Sequence, residues 1–193
     1  TWFAIITQYI LMIQNRVTSI PESTIRFFSF FTILTNLLVA IYFTCLIFKQ
    51  KWISKQGTLT AITVYITIVG LVYQIALRHI WEPKGMQLIV DELLHSVIPI
   101  LVIIFWYFYQ KTPNNYSKIK IWTLYPLIYL FYVLIRGSFS DFYPYPFIDV
   151  THIGWSITFT NAAVLLLVFI LFSSLFIFIE NRRLKIMVAN KSQ

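Results

Sequence analysis

Charge is what this chain has least of. Only 11% of its 193 residues are Asp, Glu, Lys or Arg, where an ordinary soluble domain carries about 25%. Acids are scarcer than bases, with seven Asp and Glu against fifteen Lys and Arg. There is one cysteine, Cys45. It excludes an intrachain disulfide and therefore a disulfide-stapled secreted module, and its apolar neighbours give it the role of a small buried hydrophobe. No low-complexity linker and no internal repeat divides the chain, which reads as one domain spanning 1–193.

Apolar residues fill the space that charge leaves. They make up 59% of the chain, and the mean hydropathy is +0.75. A soluble protein of this size has too much surface for its volume to hide that fraction. A soluble enzyme and a disordered chain are excluded, and lipid becomes the solvent for the excess.

Six apolar runs stand out, roughly 1–15, 27–48, 58–80, 93–110, 119–136 and 153–179. A membrane-spanning helix needs about 20 apolar residues. Five runs meet or approach that length. The first is short, and residues before Thr1 are expected to complete it; Asn15-Arg16 lacks the small residues of a signal cleavage site. Runs such as Val164-Leu165-Leu166-Leu167-Val168 do not alternate, which excludes barrel strands. The expected fold is an all-α integral membrane protein, a bundle of six transmembrane helices.

The basic residues orient it. Lys49, Lys51 and Lys55 follow the second run, Lys111, Lys118 and Lys120 the fourth, and Arg182, Arg183, Lys185 and Lys191 the sixth. These ten face one acid, Glu180. The other side holds five, Arg16, Arg26, Arg78, Lys84 and Arg136, among six acids. Lys and Arg concentrate in cytoplasmic loops, so both termini are expected in the cytoplasm. The net charge of +8 thus expresses topology and contact with anionic lipid, not nucleic-acid binding.

Polar residues inside hydrocarbon need a partner or a function. Ser29, Thr32, Asn36, Ala40 and Thr44 form one stripe on the second helix, and Thr60, Thr63, Thr67, Gly70 and Gln74 another on the third. As wholes these are packing stripes, since small residues let helices approach. Near the extracytoplasmic ends the pattern is more specific. Thr32 lies six residues in from Arg26, a depth of about 9 Å. His95 lies about one turn into the fourth helix, after Asp91 and Glu92, either of which can orient the imidazole. Asn36, Gln74, Arg136 and Asn161 fall in the same shallow layer, as candidates for binding substrate. Gly137 reads as a helix stop after Arg136. Pro99 removes the helical partner of the His95 carbonyl and favours a kink with a cavity beside it. The segment from Gly137 to Ile153 is rich in aromatics and proline, and reads as a lid over the outer mouth or as an aromatic belt.

The segments Phe30-Phe31-Thr32-Ile33-Leu34-Thr35-Asn36-Leu37, Leu93-Leu94-His95-Ser96-Val97-Ile98-Pro99 and Tyr145-Pro146-Phe147-Ile148-Asp149 resemble three landmarks of the androgen-induced-protein family of membrane hydrolases. The six-span pattern, with Tyr125-Pro126-Leu127 and Arg136-Gly137, is similar to the bacterial "Pr-six-Pr" branch of that family. The resemblance implies an intramembrane hydrolase of fatty-acid esters of hydroxy fatty acids, with Thr32 as nucleophile and His95 as base. It also implies a bacterial plasma-membrane location and no cofactor. Thr35 competes with Thr32 for the nucleophile's place. On the residues' own chemistry, His95 takes the threonine proton, Asn36, Gln74 or Asn161 donates to the oxyanion, and Arg136 holds the carboxylate of an acidic lipid.

Two other readings stay open. His79, His95 and His152 all fall on the extracytoplasmic side, and three histidines can hold a catalytic zinc, although no HExxH spacing is present. A transporter or lipid-binding scaffold is the alternative outside enzymes. The shallow polar layer and the lack of paired helix breaks count against transport.

Overall fold

The computed structural model describes residues 1–50, 53 and 55–190. Lys51 and Lys191, two of the ten cations counted above, lie outside the described residues. Every regular element among the described residues is helical.

The chain opens with α1 (Trp2–Gln14) and α2 (Ile20–Phe27), followed by α3 (Phe31–Ile47). Helix α4 (Thr58–Val72) runs on through a π-helical turn, Tyr73–Leu77. Helix α5 (Met86–Glu92), a second π turn (Leu93–Val97) and α6 (Ile98–Tyr109) form one continuous rod. A short α7 (Lys118–Trp122) leads into α8 (Leu124–Ser140), and α9 (Val150–Ala189) ends the described chain.

Four of these rods are long and apolar enough to cross a membrane, Thr58–Leu77, Met86–Tyr109, Lys118–Ser140 and Val150–Ala189. The pair α2–α3 makes a fifth if counted as one span bent by 72°. Helix α1 has 13 residues, a rise of about 20 Å, which falls short of a hydrocarbon core of about 30 Å.

The helices overrun the apolar runs at polar ends, where hydropathy stops but backbone hydrogen bonding does not. The α5–α6 rod starts at Met86, so Asp91 and Glu92 lie within it rather than before it. Helix α8 passes through Gly137 and stops at Asp141, which adopts the left-handed φ of 51°. Gly137 serves packing instead: a Cβ there would stand 2.2 Å from the Tyr143 ring. Helix α9 continues beyond the apolar stretch through Glu180 to Ala189. It is broken near its start at Gly154, where φ is 74°.

Burial is arranged as lipid requires. Ile100, Ile104 and Phe108 on α6, Ile128, Ile135 and Phe139 on α8, and Leu167, Leu171 and Leu175 on α9 are all exposed. Inside, Thr35, Asn36, Thr60, Thr63, Thr158 and Glu180 are buried. On the α4 stripe Thr60 donates across to Glu180 and Gly70 lies close against His95 and Pro99, while Thr63 and Thr67 bond back to the carbonyls of Leu59 and Thr63 within their own helix. The loops segregate into two ends. Residues from the α1–α2 turn, the α4–α5 connection and the α8–α9 connection line one cavity. At the opposite end Gln56 donates to the Pro113 carbonyl, and Arg183 donates to that of Gln110.

Candidate active site

The site begins with a proline. In the π turn between α5 and α6, the N–H of Ile98 bonds to the carbonyl of Leu93. The carbonyl of Leu94 therefore loses its α-helical donor, and Pro99, one residue on, has no N–H to replace it. Asn36 fills the vacancy, its Nδ2 donating to the Leu94 carbonyl at 3.3 Å and to the Thr32 carbonyl at 2.9 Å. One side chain thus ties the start of α3 to the turn that carries His95.

That tie sets Thr32 against His95. The Oγ1 of Thr32 lies 3.3 Å from His95 Nε2. The other ring nitrogen, Nδ1, lies 3.0 Å from the backbone carbonyl of Asp91 and 3.4 Å from its Oδ1. Both neighbours of Nδ1 are acceptors, so in the neutral ring Nδ1 carries the proton and Nε2 presents its lone pair. The Thr32 hydroxyl must then donate to Nε2. The imidazole is fixed from the side as well, stacked on Tyr73 with ring centroids 4.1 Å apart and planes at 13°. Tyr73 opens the other π turn. Such turns recur at functional sites because they re-aim side chains without ending the helix.

The segment 141–149 folds onto this pair. Tyr145 is buried, and its hydroxyl lies 3.3 Å from Thr32 Oγ1 and accepts from the Thr32 N–H at 3.2 Å. Its ring stacks on Phe147 and meets Phe30 edge-on. Burial pushes the Tyr145 phenol up, while its hydrogen bonds with the Thr32 hydroxyl and N–H work the other way; the net shift is upward, so it is protonated at neutral pH.

Two spaces meet at Thr32 and Tyr145. One is a cavity of about 670 Å³ beside His95 and Asp91, with Arg16, Arg26, Gln87 and Ser23 in its polar wall. The other is an apolar slot of about 90 Å³ between α4, α8 and α9, walled by Val69, Leu130, Leu166 and Phe169.

The remaining expected site residues take other places. Thr35 bonds the Tyr125 hydroxyl at 3.1 Å on a different face. Gln74 donates to Ser96 and accepts from Arg78, and Glu92 accepts from Ser96 and Arg78. These four form a network apart from Thr32, and Asp91 alone orients His95. Arg136 bonds Glu22 at 2.8 Å and lies over Phe142, so it braces the loop rather than lining the cavity. Asn161 donates to the Phe147 carbonyl at 2.8 Å and anchors the same loop. The histidines do not converge on a metal. His152 pairs with Asp149 at 2.8 Å, and among the described residues no three His, Cys, Asp or Glu side chains cluster.

Tyr145, Tyr73, Arg16 and Arg26 were not legible as site residues. Tyr73 reads as one of 12 tyrosines in an aromatic chain, and Tyr145 stands in one of the three landmark segments without a role of its own. The flanking Pro144 and Pro146 were the available signal, since they fix the path of the segment that delivers Tyr145. Comparison with known proteins gives no match: no family model, curated protein or solved structure is significantly similar to this chain.

Proposed function

We propose that the protein is an intramembrane lipid-ester hydrolase in which Thr32 is the nucleophile and His95 the base. The observation that carries this reading is the chain of contacts from Thr32 Oγ1 through His95 to Asp91, placed where a larger cavity with a partly polar wall meets an apolar slot. A threonine hydroxyl is a weak nucleophile until an adjacent base takes its proton. Here the base has a defined tautomer and a buried carboxylate behind it.

The reaction balances without a cofactor. Thr32 Oγ1 bonds to the ester carbonyl carbon as its proton passes to His95 Nε2, and the carbonyl π pair moves to oxygen. Collapse breaks the ester C–O bond, and the departing alkoxide takes the proton from His95. Water then attacks the acyl-enzyme by the same route and releases the acid. The apolar slot would take the first few carbons of the acyl chain beside the carbonyl. Arg16 and Arg26, not Arg136, stand where the free carboxylate of an ester of a hydroxy fatty acid would sit. The resemblance to the androgen-induced-protein family points to the same substrate class.

The membrane arrangement completes the reading. In this reading the protein crosses a bacterial plasma membrane six times with both termini cytoplasmic, the bent α2–α3 pair counted as one crossing and the short α1 as another made by local thinning of the bilayer. The cationic end then faces the cytoplasm and the site lies near the outer surface.

The test is turnover by purified protein in nanodiscs on simple fatty esters and on esters of hydroxy fatty acids. Hydrolysis abolished in Thr32→Ala and His95→Ala and untouched by a chelator supports the reading. Loss on chelation transfers it to a metal hydrolase. No turnover by folded wild type on any ester makes the cavity a lipid-binding site without chemistry.

A further inference from the structure

We propose that Tyr145 is a third catalytic group, whose O–H donates to Thr32 Oγ1 at rest and to the carbonyl oxygen once Thr32 attacks. The proposal rests on the threonine-hydrolase reading and adds the electrophilic half of the mechanism.

Hydrogen-bond direction makes the case. In the neutral imidazole, the form that can act as base, Nδ1 faces only Asp91 acceptors and carries the proton, so Nε2 accepts from Thr32. The Thr32 proton is thereby committed. The contact between Thr32 Oγ1 and the Tyr145 hydroxyl, at 3.3 Å, can then be made only with the tyrosine donating. The Tyr145 oxygen in turn accepts from the Thr32 backbone N–H at 3.2 Å. That N–H belongs to the first turn of α3, where amides have no acceptor within the helix. The chain runs one way from end to end. It starts at the Thr32 amide, passes through Tyr145, the Thr32 hydroxyl and His95, and ends at Asp91.

When Thr32 Oγ1 bonds to carbon, its proton leaves for His95 and negative charge appears on the former carbonyl oxygen. A donor is then required beside the nucleophile. The amides expected to serve are engaged elsewhere: Asn36 with two carbonyls, Gln74 with Ser96, and Asn161 with Phe147. Tyr145 is the side-chain donor that already touches Thr32, and it lines both the cavity and the slot, so a substrate bridging the two spaces brings its carbonyl past it. Its position is fixed before substrate arrives, through the Phe147 stack and the Asn161 anchor on the same loop. Preorganisation of this kind gives an oxyanion donor most of its effect.

The experiment compares wild type, Tyr145→Phe, Thr32→Ala and His95→Ala in nanodiscs. One probe is p-nitrophenyl octanoate. The other is a long-chain alkyl fluorophosphonate, with modification of Thr32 read by mass spectrometry. Tyr145→Phe is expected to lower kcat about 100- to 1000-fold, the loss typical of one missing oxyanion donor, with KM changed less than about threefold. Fluorophosphonate labelling should slow in parallel, because the phosphoryl oxygen needs the same donor.

A second variant guards against a folding defect. Replacing Tyr145 by a fluorinated tyrosine keeps the hydroxyl in place and lowers its pKa with little change in size. A catalytic donor shifts kcat and its pH profile with that acidity, whereas a structural tyrosine leaves both flat. Wild-type turnover that Tyr145→Phe leaves within about threefold, or a flat fluorotyrosine series, overturns the role of Tyr145 and leaves the Thr32–His95 reading standing. Folded wild type that neither turns over nor labels at Thr32 overturns both.

Discussion

Gly70 brings helix α4 against the backbone of His95: a Cβ at Gly70 would stand 3.0 Å from the His95 carbonyl oxygen and 3.4 Å from the Pro99 ring. The site therefore depends on an absent side chain. Gly70→Ala gains about 1 kcal/mol of helix propensity, but overpacking a tight contact costs about 1–3 kcal/mol. The neighbour that must yield is backbone rather than a flexible side-chain end. The π turn is expected to shift, Thr32 and His95 to separate, and kcat to fall at least tenfold with a small drop in melting temperature. Full activity in Gly70→Ala would mean that the turn has slack the structure does not display.

Asp91 and Glu92 are adjacent in sequence and opposite in role. Asp91 is buried and meets His95 Nδ1 through both its carboxylate and its carbonyl. Glu92 bonds Ser96 and Arg78 on the outer side. Asp91→Asn puts an amide donor in competition with Nδ1–H and favours the wrong tautomer. Because the backbone carbonyl still holds Nδ1–H, the expected loss in kcat is about 10- to 100-fold, smaller than the ~10⁴-fold seen where the carboxylate acts alone. Glu92→Gln should leave kcat within about twofold. Equal losses in the two variants would remove Asp91 from the mechanism.

Sequence carried the helical, lipid-facing class, because an excess of apolar residues has one physical outlet in a chain this size. It also singled out Thr32 and His95, although by counting from charged helix ends that the structure moves: Arg26 ends α2 before the 72° bend, and the helix that carries His95 starts at Met86. It could not register which face each polar residue turns to. Gln74, Arg136 and Asn161 are assigned to the site by depth alone, yet their partners Ser96, Glu22 and Phe147 draw them away from Thr32. A shared depth fixes one coordinate of three. Tyr145 was hidden for the converse reason: it lies outside the spans and reaches the site only because its loop folds inward.

Glu180 was equally hidden, as the lone acid in a basic tail. It is fully buried, with Oε2 accepting from Thr60 at 2.6 Å and Oε1 from Asn114 at 2.8 Å. Trp106 donates to the same Thr60 hydroxyl at 3.1 Å. This network ties α4, α6, α9 and the 110–117 connection at the end opposite the site. Glu180→Ala leaves two buried donors without an acceptor, at a cost of about 1–3 kcal/mol each. Melting in nanodiscs should fall clearly, while kcat below the transition stays at the wild-type value. A kcat change without a stability change would require coupling along α4 or α9 between the two ends.

The arginines separate recognition from bracing. Arg16 and Arg26 line the cavity, whereas Arg136 is held by Glu22 and Ser140. Arg16→Gln is the cleaner probe, since Arg26 also pairs with Glu22 at 2.7 Å. It should raise KM about 5- to 20-fold for an ester bearing a free carboxylate, with about 1–2 kcal/mol lost for one exposed charge-assisted contact, and leave KM for a neutral ester unchanged. Arg136→Gln should lower stability with KM unchanged for both. If the two variants exchange these patterns, the acidic end of the substrate lies against α8 and not in the cavity.

Asp149 gives a test by pH. It caps α9, accepting from the Thr151 N–H at 3.0 Å and from His152 at 2.8 Å. Burial pushes its carboxyl up, but the hydrogen bonds from Thr151 and His152 outweigh that and leave it below the ordinary 3.8. A carboxyl depressed by folding contributes its full stabilisation above its unfolded pKa and loses it as pH falls through the lower folded value. Asp149→Ala should therefore cost about 0.5–2 kcal/mol at neutral pH, as loss of a helix cap does. The gap to wild type should narrow as the medium is acidified below about pH 4, where the wild-type carboxyl takes up its proton. Asp149→Asn keeps a capping oxygen without the charge, so its stability should lie between the two at neutral pH and change least on acidification. A gap that stays constant to pH 3 would show that the cap acts through its geometry alone, with no contribution from the ionised carboxylate.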